Sequence, residues 1–384
     1  MQQKILSKKR VCVIGTRGFP GIQGGVEKHC ESLYPLIGQR ECKVTVFRRK
    51  PYINFANKNV FFKNLFLKDI WTIRYKSFES IIHSILSAIL CIFERPDIVH
   101  VHNIGPSLVL PLLKLAGLKT VVTYHSPNYE HSKWSYFAKI ILKTGERFVA
   151  RFADQVIFVS RTQLEKMSCN NKSYIPNGIF LPSLSSSAEY LQRIGVLSKQ
   201  YILAVARFVP EKGLHDLIKA FSDLDASYKL VIAGDADHET GYSRNLYRLA
   251  AEDPRVILTG YIIGEPLNQI YSNARIFVLP SYHEGLPIAL LEAMSYCLPV
   301  LVSDIPANKE VDLPAERYFR CGNVDDLRLK MERLLDKGLC ETEKQNMLRL
   351  IEEKYNWNKI ADQTIEVYKK ALSSDLHISS FLML

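Results

Sequence analysis

The sequence predicts an α/β protein made of two similar domains, each a parallel sheet covered by helices on both faces. Three observations carry that reading. Short β-branched runs alternate with longer helical patterns along the whole chain. Its 384 residues exceed what one ordinary core organises. The chain also restarts midway: VCVIGTRG near the beginning and ILAVARFVPEKGLHDL from residue 202 each read as a strand, a glycine-containing loop with an arginine, and a helix.

Taken in order, the first strands are expected at Val11–Ile14, Lys43–Phe47, Ile98–His102, Thr120–Tyr124 and Gln155–Val159. A second series follows at Tyr201–Ala206, Lys229–Ala233, Val256–Leu258, Ile276–Leu279 and Val300–Val302. Near-continuous apolar runs of this length are what strands buried on both faces require. Two Rossmann-like domains result, with ligand loops at the carboxyl ends of their strands. The first domain spans residues 1–180 and the second 200–356. Between them, 181–199 reads as a linker, on Pro182 and a cluster of serines. Residues 357–384 form a last amphipathic helix with Trp357, Ile360, Ile365 and Tyr368 as packing residues. The longest uncharged apolar stretch, Ser80 to Phe93, is too short to span a membrane and reads as a core helix.

Hydrophobic content of 47% with 23% charged residues excludes a disordered chain. The net charge of +11 favours acidic partners such as phosphorylated ligands or anionic lipid. No nucleic-acid-binding module accompanies the charge, so nucleic acid is not expected. Eight cysteines are scattered without a CxxC pair, the pattern of reduced core residues in a cytoplasmic protein. The apolar run after the basic start, VCVIG, is too short for a signal-peptide core.

Two stretches carry chemistry. In the first, glycines at 15, 18, 21, 24 and 25 lead into a helix with Glu27 in its first turn. The spacing fails the dinucleotide fingerprint and the P-loop alike. What remains is a loop whose Gly24 and Gly25 bring backbone N–H groups to a helix start, suited to a phosphate or to sugar oxygens. An ordinary strand-to-helix turn explains it equally well. In the second half, Arg207 closes a strand and Lys212 precedes a helix, an arrangement that fits a diphosphate. Residues 279–304 read LPSYHEGLPIALLEAMSYCLPVLVSD, with Glu284 in a loop, Pro287 in the first turn of a helix, and Glu292 inside it. A lone glutamate in so apolar a helix is expected to be buried, and a buried carboxylate needs donors that ribose hydroxyls supply.

The segment EGLPIALLE resembles the E-x7-E motif of the retaining nucleotide-sugar glycosyltransferases of family 4, which have the two-domain GT-B fold. The resemblance extends to GGVE at 24–27, PDIVHVHN at 96–103, TYHSP at 123–127, IPNG at 175–178 and the Arg207…Lys212 pair. TYHSPNYEHSKW is most similar to members that build bacterial surface polysaccharides. Ser126 stands where many members have Asp, and position 126 is assigned no role.

The resemblance implies two domains facing across a cleft, with the last helix returning to the first domain. It implies a nucleotide-sugar donor and a glycan acceptor, lipid-linked in the members of this type, with no cofactor and no metal. Arg207 and Lys212 would hold the donor diphosphate, aided by the backbone of Leu286, Pro287 and Ile288. Glu292 would bind the ribose, and Glu284 and Gly285 would meet the donor sugar. His125 would touch that sugar from the other domain. Tyr261 and Ile262 would lie near the base, and Gly24, Gly25 and Glu27 would line the phosphate or acceptor side. Asp235-Ala-Asp237 has metal-motif spacing but follows a strand and glycine, so it reads as a loop. His100 and His102 share one side of a strand with no third ligand apparent, which favours structural roles.

Lys139, Lys143, Arg147 and Arg151 recur at steps of four, with Phe137, Ile141, Phe148 and Phe152 mainly on another face. This basic helix fits an anionic bilayer at the inner face of the cytoplasmic membrane. It equally fits a solvated face over a normal core stripe. Two other functions stay open beside the transferase: a sugar-nucleotide epimerase of the same fold, and a non-catalytic nucleotide-sugar-binding partner.

Overall fold

The computed structural model describes residues 9–374 except 41, 55–57, 59, 74–78, 127–135, 226 and 237. The chain forms two compact units, one running to Asn177 and resuming at Trp357, the other Gly178–Asn356.

The first unit holds seven parallel strands: β1 (Arg10–Ile14), β2 (Lys43–Arg49), β3 (Leu65–Ile70), β4 (Ile98–His102), β5 (Thr120–Tyr124), β6 (Gln155–Phe158) and β7 (Lys172–Tyr174). Their order is β3-β2-β1-β4-β5-β6-β7, so the direction of winding reverses between β1 and β4. Helices α1 (Gly25–Gln39), α2 (Glu79–Glu94), α3 (Leu110–Leu115), α4 (Tyr136–Phe152) and α5 (Arg161–Lys166) connect them. One face of the sheet packs on α1 through Cys30, Leu33 and Ile37, and the other on α2, α3 and α4 through Cys91, Leu110, Leu113, Leu142 and Val149.

The second unit has six parallel strands: β8 (Tyr201–Val205), β9 (Lys229–Ala233), β10 (Val256–Gly260), β11 (Ile276–Leu279), β12 (Val300–Ser303) and β13 (Tyr318–Phe319). They are ordered β10-β9-β8-β11-β12-β13 and reverse winding between β8 and β11. Its helices are α6 (Glu189–Arg193), α7 (Leu214–Ser222), α8 (Gly241–Ala251), α9 (Glu265–Asn273), α10 (Ile288–Ser295), α11 (Pro306–Lys309), α12 (Val324–Lys337) and α13 (Glu341–Lys354). The last helix, α14 (Trp357–Ser373), returns to the first unit, where Trp357, Ile360, Val367 and Tyr368 are buried in the α1 side of its core.

Four expectations need correction. Strands β3, β7 and β13 were not foreseen; each ends a sheet, where one side of the strand is unpaired and the apolar signal weakens. The stretch 181–199 is no free linker. Tyr190 and Leu191 of α6 are buried, the Tyr190 N–H donates to Gln269 Oε1 at 2.8 Å, and the Ser185 N–H to Ser272 Oγ at 2.9 Å.

Helix α2 is not a core helix all round. It buries Glu79, His83, Ser84, Ser87, Ala88 and Cys91, leaving Ile85, Ile89 and Phe93 exposed. Small residues face the sheet because they allow close approach, and the bulky ones are left outside. Helix α4 is likewise rotated from expectation: Leu142, Gly145 and Val149 face inward while Ile140 and Ile141 are exposed. A Cβ at Gly145 would stand 2.1 Å from the Ile104 carbonyl oxygen, so contact with the chain after β4 selects that face.

Candidate active site

In an open parallel sheet, the loops leaving two neighbouring strands on opposite sides of a winding reversal flank a crevice. In the second unit those strands are β8 and β11. The loop after β8 carries Arg207, half-buried, and then a single 3-10 turn, Pro210–Lys212. Gly213 follows as the N-cap of α7 with φ of 63°. A Cβ there would lie 2.1 Å from the Pro280 carbonyl oxygen, so glycine alone lets this turn rest on the end of β11.

That contact brings the Lys212 ammonium to 2.5 Å from Glu284 Oε1, and Ser281 Oγ donates to the same oxygen at 2.7 Å. The Glu284 side chain is only 8% exposed and that of Lys212 20%. Glu284 Oε2 has no hydrogen-bond partner among the described residues. The result is an ion pair at the strand ends with acceptor and donor capacity to spare.

Gly285 and the buried Leu286 lead into α10. Pro287, expected in the first turn of that helix, is its N-cap instead, and no side chain caps the end. The first-turn N–H groups of an uncapped helix suit an anion. Ile288 opens the helix and Glu292 lies one turn further on.

Glu292 is half-buried rather than buried, and Tyr271 on α9 donates its hydroxyl to Glu292 Oε2 at 3.0 Å. Tyr271 is fully enclosed and stacks on Tyr296 with ring centroids 5.0 Å apart. Burial, and then the neighbouring carboxylate, push its phenol well above the usual value, so it remains a donor. Tyr261, exposed, and Ile262 follow β10 at the same end of the sheet. Since β10 is two strands from β8, the ends of those strands lie about 10 Å apart.

In the first unit the glycine loop leaves β1 at the corresponding reversal. Gly24 is the N-cap of α1 with φ of 147°, and a Cβ there would strike the Glu27 carboxylate at 2.0 Å. Glu27 turns back on the loop and accepts the Arg17 N–H at 3.0 Å. It thus braces the glycine loop from within. Gly25 opens the helix with open space at its Cβ position.

His125 follows β5 and is 8% exposed. Its Nε2 lies 3.0 Å from His102 Nδ1. His29, from α1, stands edge-on to it with centroids 4.8 Å apart and bonds through Nδ1 to Asn177 Oδ1 at 2.9 Å. One nitrogen from each of His29, His102 and His125 falls within 4.8 Å of the others. No third ligand was apparent beside His100 and His102 in the sequence; helix α1 and the end of β5 bring His29 and His125 to His102. His102 and His125 already spend their facing nitrogens on each other, and His29 meets both rings edge-on. His100 bonds instead to Tyr368, Tyr34 and Thr123.

Burial pulls these imidazoles down: His29 to about 4, His100 to about 3, and His102 and His125 well below the ordinary value. Of the TYHSPNYEHSKW stretch, residues 127–134 lie outside the described residues, as does Asp237 of the aspartate pair. Tyr271, Ser281, Tyr34 and His29 were not foreseen. Their only signal is polar character on an otherwise buried helix face or strand end.

The family model described as Glycosyltransferase Family 4 matches residues 23–181, and that described as Glycosyl transferases group 1 matches 189–357. A glycosyltransferase of Methanocaldococcus jannaschii is 28% identical over 305 residues, 73% of this chain and 76% of its own. The putative teichuronic acid biosynthesis glycosyltransferase TuaC of Bacillus subtilis is 28% identical over 55% of this chain and 54% of its own, and O-antigen chain mannosyltransferase B of Escherichia coli 27% over 53% of each.

Among solved structures, sucrose-phosphate synthase of Thermosynechococcus elongatus has a TM-score of 0.82 at 21% identity, covering 96% of this chain and all of that one. Anabaena HepE in complex with UDP-glucose has a TM-score of 0.75 at 17% identity, over 94% and 99%. The fold is thus shared with the GT-B enzymes. The two family models together match most of the sequence, and the chain belongs to the family 4 glycosyltransferases, its second unit being a group 1 glycosyltransferase domain.

Proposed function

We propose that this glycosyltransferase moves a sugar from a nucleoside-diphosphate sugar to a lipid-linked glycan during assembly of a bacterial surface polysaccharide, with retention of anomeric configuration. The observation that carries the reading is the Lys212–Glu284 contact at the β8–β11 reversal, with Glu292 eight residues further on. Relatives named for teichuronic acid and O-antigen synthesis support the acceptor class, and HepE was solved with UDP-glucose.

In this mechanism Arg207, Lys212 and the first-turn N–H groups of α10 hold the diphosphate. The bond from the anomeric carbon to the phosphate oxygen breaks and its electron pair leaves with the diphosphate. The acceptor hydroxyl oxygen bonds to the anomeric carbon, and its proton passes to the departing diphosphate. Fixed cations aimed at the charge that develops are the main physical requirement. Glu284 stabilises the positive charge on the sugar and Glu292 accepts from the ribose hydroxyls. His125 is assigned to the donor sugar, and Tyr261 and Ile262 to the base. The chemistry is assigned to protein groups, with no step routed through a metal.

The outer face of the α2–α3–α4 layer is assigned to an anionic lipid surface. Ile85, Ile89, Phe93, Leu115, Ile140 and Ile141 are exposed there beside exposed Lys143, Arg147 and Arg151, with Lys139 half-buried. Apolar anchors next to cations are the combination such surfaces retain. No described helix is long and apolar enough to cross a membrane.

The test is thermal stabilisation by UDP, GDP and dTDP, for the wild type and for Glu292→Ala, followed by product analysis. A ligand specific to the folded state adds about 2.7 kcal/mol at a hundredfold excess over Kd. One nucleoside diphosphate should stabilise the wild type and do so less in the variant, and its sugar conjugate should yield glycan product and free diphosphate. A changed donor sugar with no diphosphate released would mean an epimerase. Stabilisation without either product would mean a binding partner.

A further inference from the structure

We infer that a chain of buried hydrogen bonds from Tyr34 through His102 fixes His125 in the tautomer protonated on Nδ1, so that the residue presents an N–H donor rather than a base. Tyr34 and His102 are then positioning residues, and Tyr368 on the returning helix supports them. The inference rests on the function proposed above only for what His125 meets; the tautomer is a property of the folded chain itself.

Counting protons fixes the tautomers. All four imidazoles are neutral when buried so deeply, and a neutral imidazole carries one proton and one lone pair. Tyr34 and Tyr368 are fully buried phenols and keep their protons. Tyr34 OH has its shortest contact with His102 Nε2 at 2.5 Å, against 3.0 Å to His100 Nδ1. Tyr368 OH lies 2.7 Å from His100 Nδ1. A phenol is a far stronger acid than an imidazole N–H, and an imidazole lone pair a far stronger base than a phenol oxygen. Each pair therefore settles as O–H···N.

The consequences propagate. His100, accepting at Nδ1, carries its proton on Nε2 and donates it to Thr123 Oγ1 at 2.7 Å. Tyr368 thus satisfies His100 and leaves the Tyr34 proton for His102. His102, accepting at Nε2, is protonated on Nδ1 and donates to His125 Nε2 at 3.0 Å. His125 must then hold its own proton on Nδ1. A second ring nearby obeys the same logic: His29 faces a carboxamide oxygen and so carries its proton on Nδ1. For a sugar hydroxyl, a fixed donor at His125 is recognised by an oxygen lone pair, and no proton is abstracted.

The experiment is a long-range proton–nitrogen correlation spectrum of the full-length 15N-labelled protein, in which the 15N shift reports which ring nitrogen is protonated. Wild type should show His125 with protonated Nδ1 and bare Nε2. Tyr34→Phe, which keeps the ring but removes the donor, should convert His102 and His125 to mixed tautomers and lower kcat about tenfold with little change in KM. Thr123→Val perturbs the same core at His100 and should leave His125 on Nδ1, separating the relay from general packing damage. A wild-type His125 protonated on Nε2, or one unmoved by Tyr34→Phe, overturns the inference. A tautomer that shifts in Tyr34→Phe while sugar transfer is unaffected leaves the relay standing and removes His125 from the proposed sugar contact.

Discussion

Glu292 shows how a side chain on one helix depends on another. Its carboxylate is oriented by Tyr271 from α9, a bond from a neutral donor to a charged acceptor, which contributes about 1.5–3 kcal/mol. Tyr271→Phe removes that donor while keeping the stacked ring. If Glu292 accepts from the ribose, the variant should bind its nucleoside diphosphate about tenfold more weakly, a loss of about 1.4 kcal/mol. Calorimetric titration checks this, and unchanged affinity would separate Glu292 from the ribose. Glu284 and Glu292 were legible in the sequence because charges in an apolar stretch stand out. Tyr271 and Ser281 were not. Their role exists only once α9 and the end of β11 are brought beside them, and a tyrosine in EPLNQIYSNA looks like any amphipathic helix residue.

At the scale of elements, strands in the middle of a sheet announce themselves, while of the four edge strands only β10 was read, and short of its full length. Ile98–His102, Thr120–Tyr124, Lys229–Ala233 and Ile276–Leu279 were read with the bounds they have, because these runs are almost wholly buried and rich in β-branched and apolar residues. Strand β3, LFLKDI, buries only its end residues and mixes charge with apolar side chains. Helices raise a different difficulty, since period alone marks a stripe but does not say which stripe turns inward. In α2 the small and polar face is inside and Ile85, Ile89 and Phe93 are out. That inversion leaves apolar anchors beside cations on the outside of the layer. Wild-type protein should sediment with vesicles containing phosphatidylglycerol and remain free of pure phosphatidylcholine. Raised salt should weaken the binding as charges are screened. Removing the exposed cations by Lys143→Ala, Arg147→Ala and Arg151→Ala should cost roughly 1 kcal/mol each near the surface, so the triple variant should lose binding more than a hundredfold. Ile89→Ser with Phe93→Ser should weaken it further without changing the salt dependence. Equal binding to both vesicle types would return the layer to a plain solvated face.

At the scale of the whole chain, the return of α14 seals a polar cluster inside the first unit: Tyr368 reaches His100, and Trp357 packs edge-on to His29 at 5.3 Å. The sequence supports the packing stripe of that helix, but not the histidines it closes over, which come from α1, β4 and the end of β5. Burying them neutral has a thermodynamic signature. Their folded values lie below the unfolded one of about 6.5, at about 4 for His29 and about 3 for His100. Below pH 6.5 the unfolded chain therefore binds protons that the folded chain refuses, and stability falls as pH falls. At pH 5.5 each such histidine removes about 1.4 kcal/mol relative to neutral pH, and the loss continues down to the folded value. Above about pH 7.5 this source contributes no slope. All three tryptophans, at 71, 134 and 357, belong to the first unit, so their emission follows its unfolding alone. Urea unfolding by tryptophan emission should show a midpoint lower at pH 5.5 than at 7.5 by at least roughly 0.5 M for each histidine's share. The second unit has His215, His238 and His283, none of them buried. Its transition, followed by the remaining far-ultraviolet dichroism, should shift less. A tryptophan-detected midpoint that stays constant between those two pH values would mean that the folded cluster takes up protons as readily as the unfolded chain, and the neutral, single-tautomer relay to His125 would fall at pH 5.5.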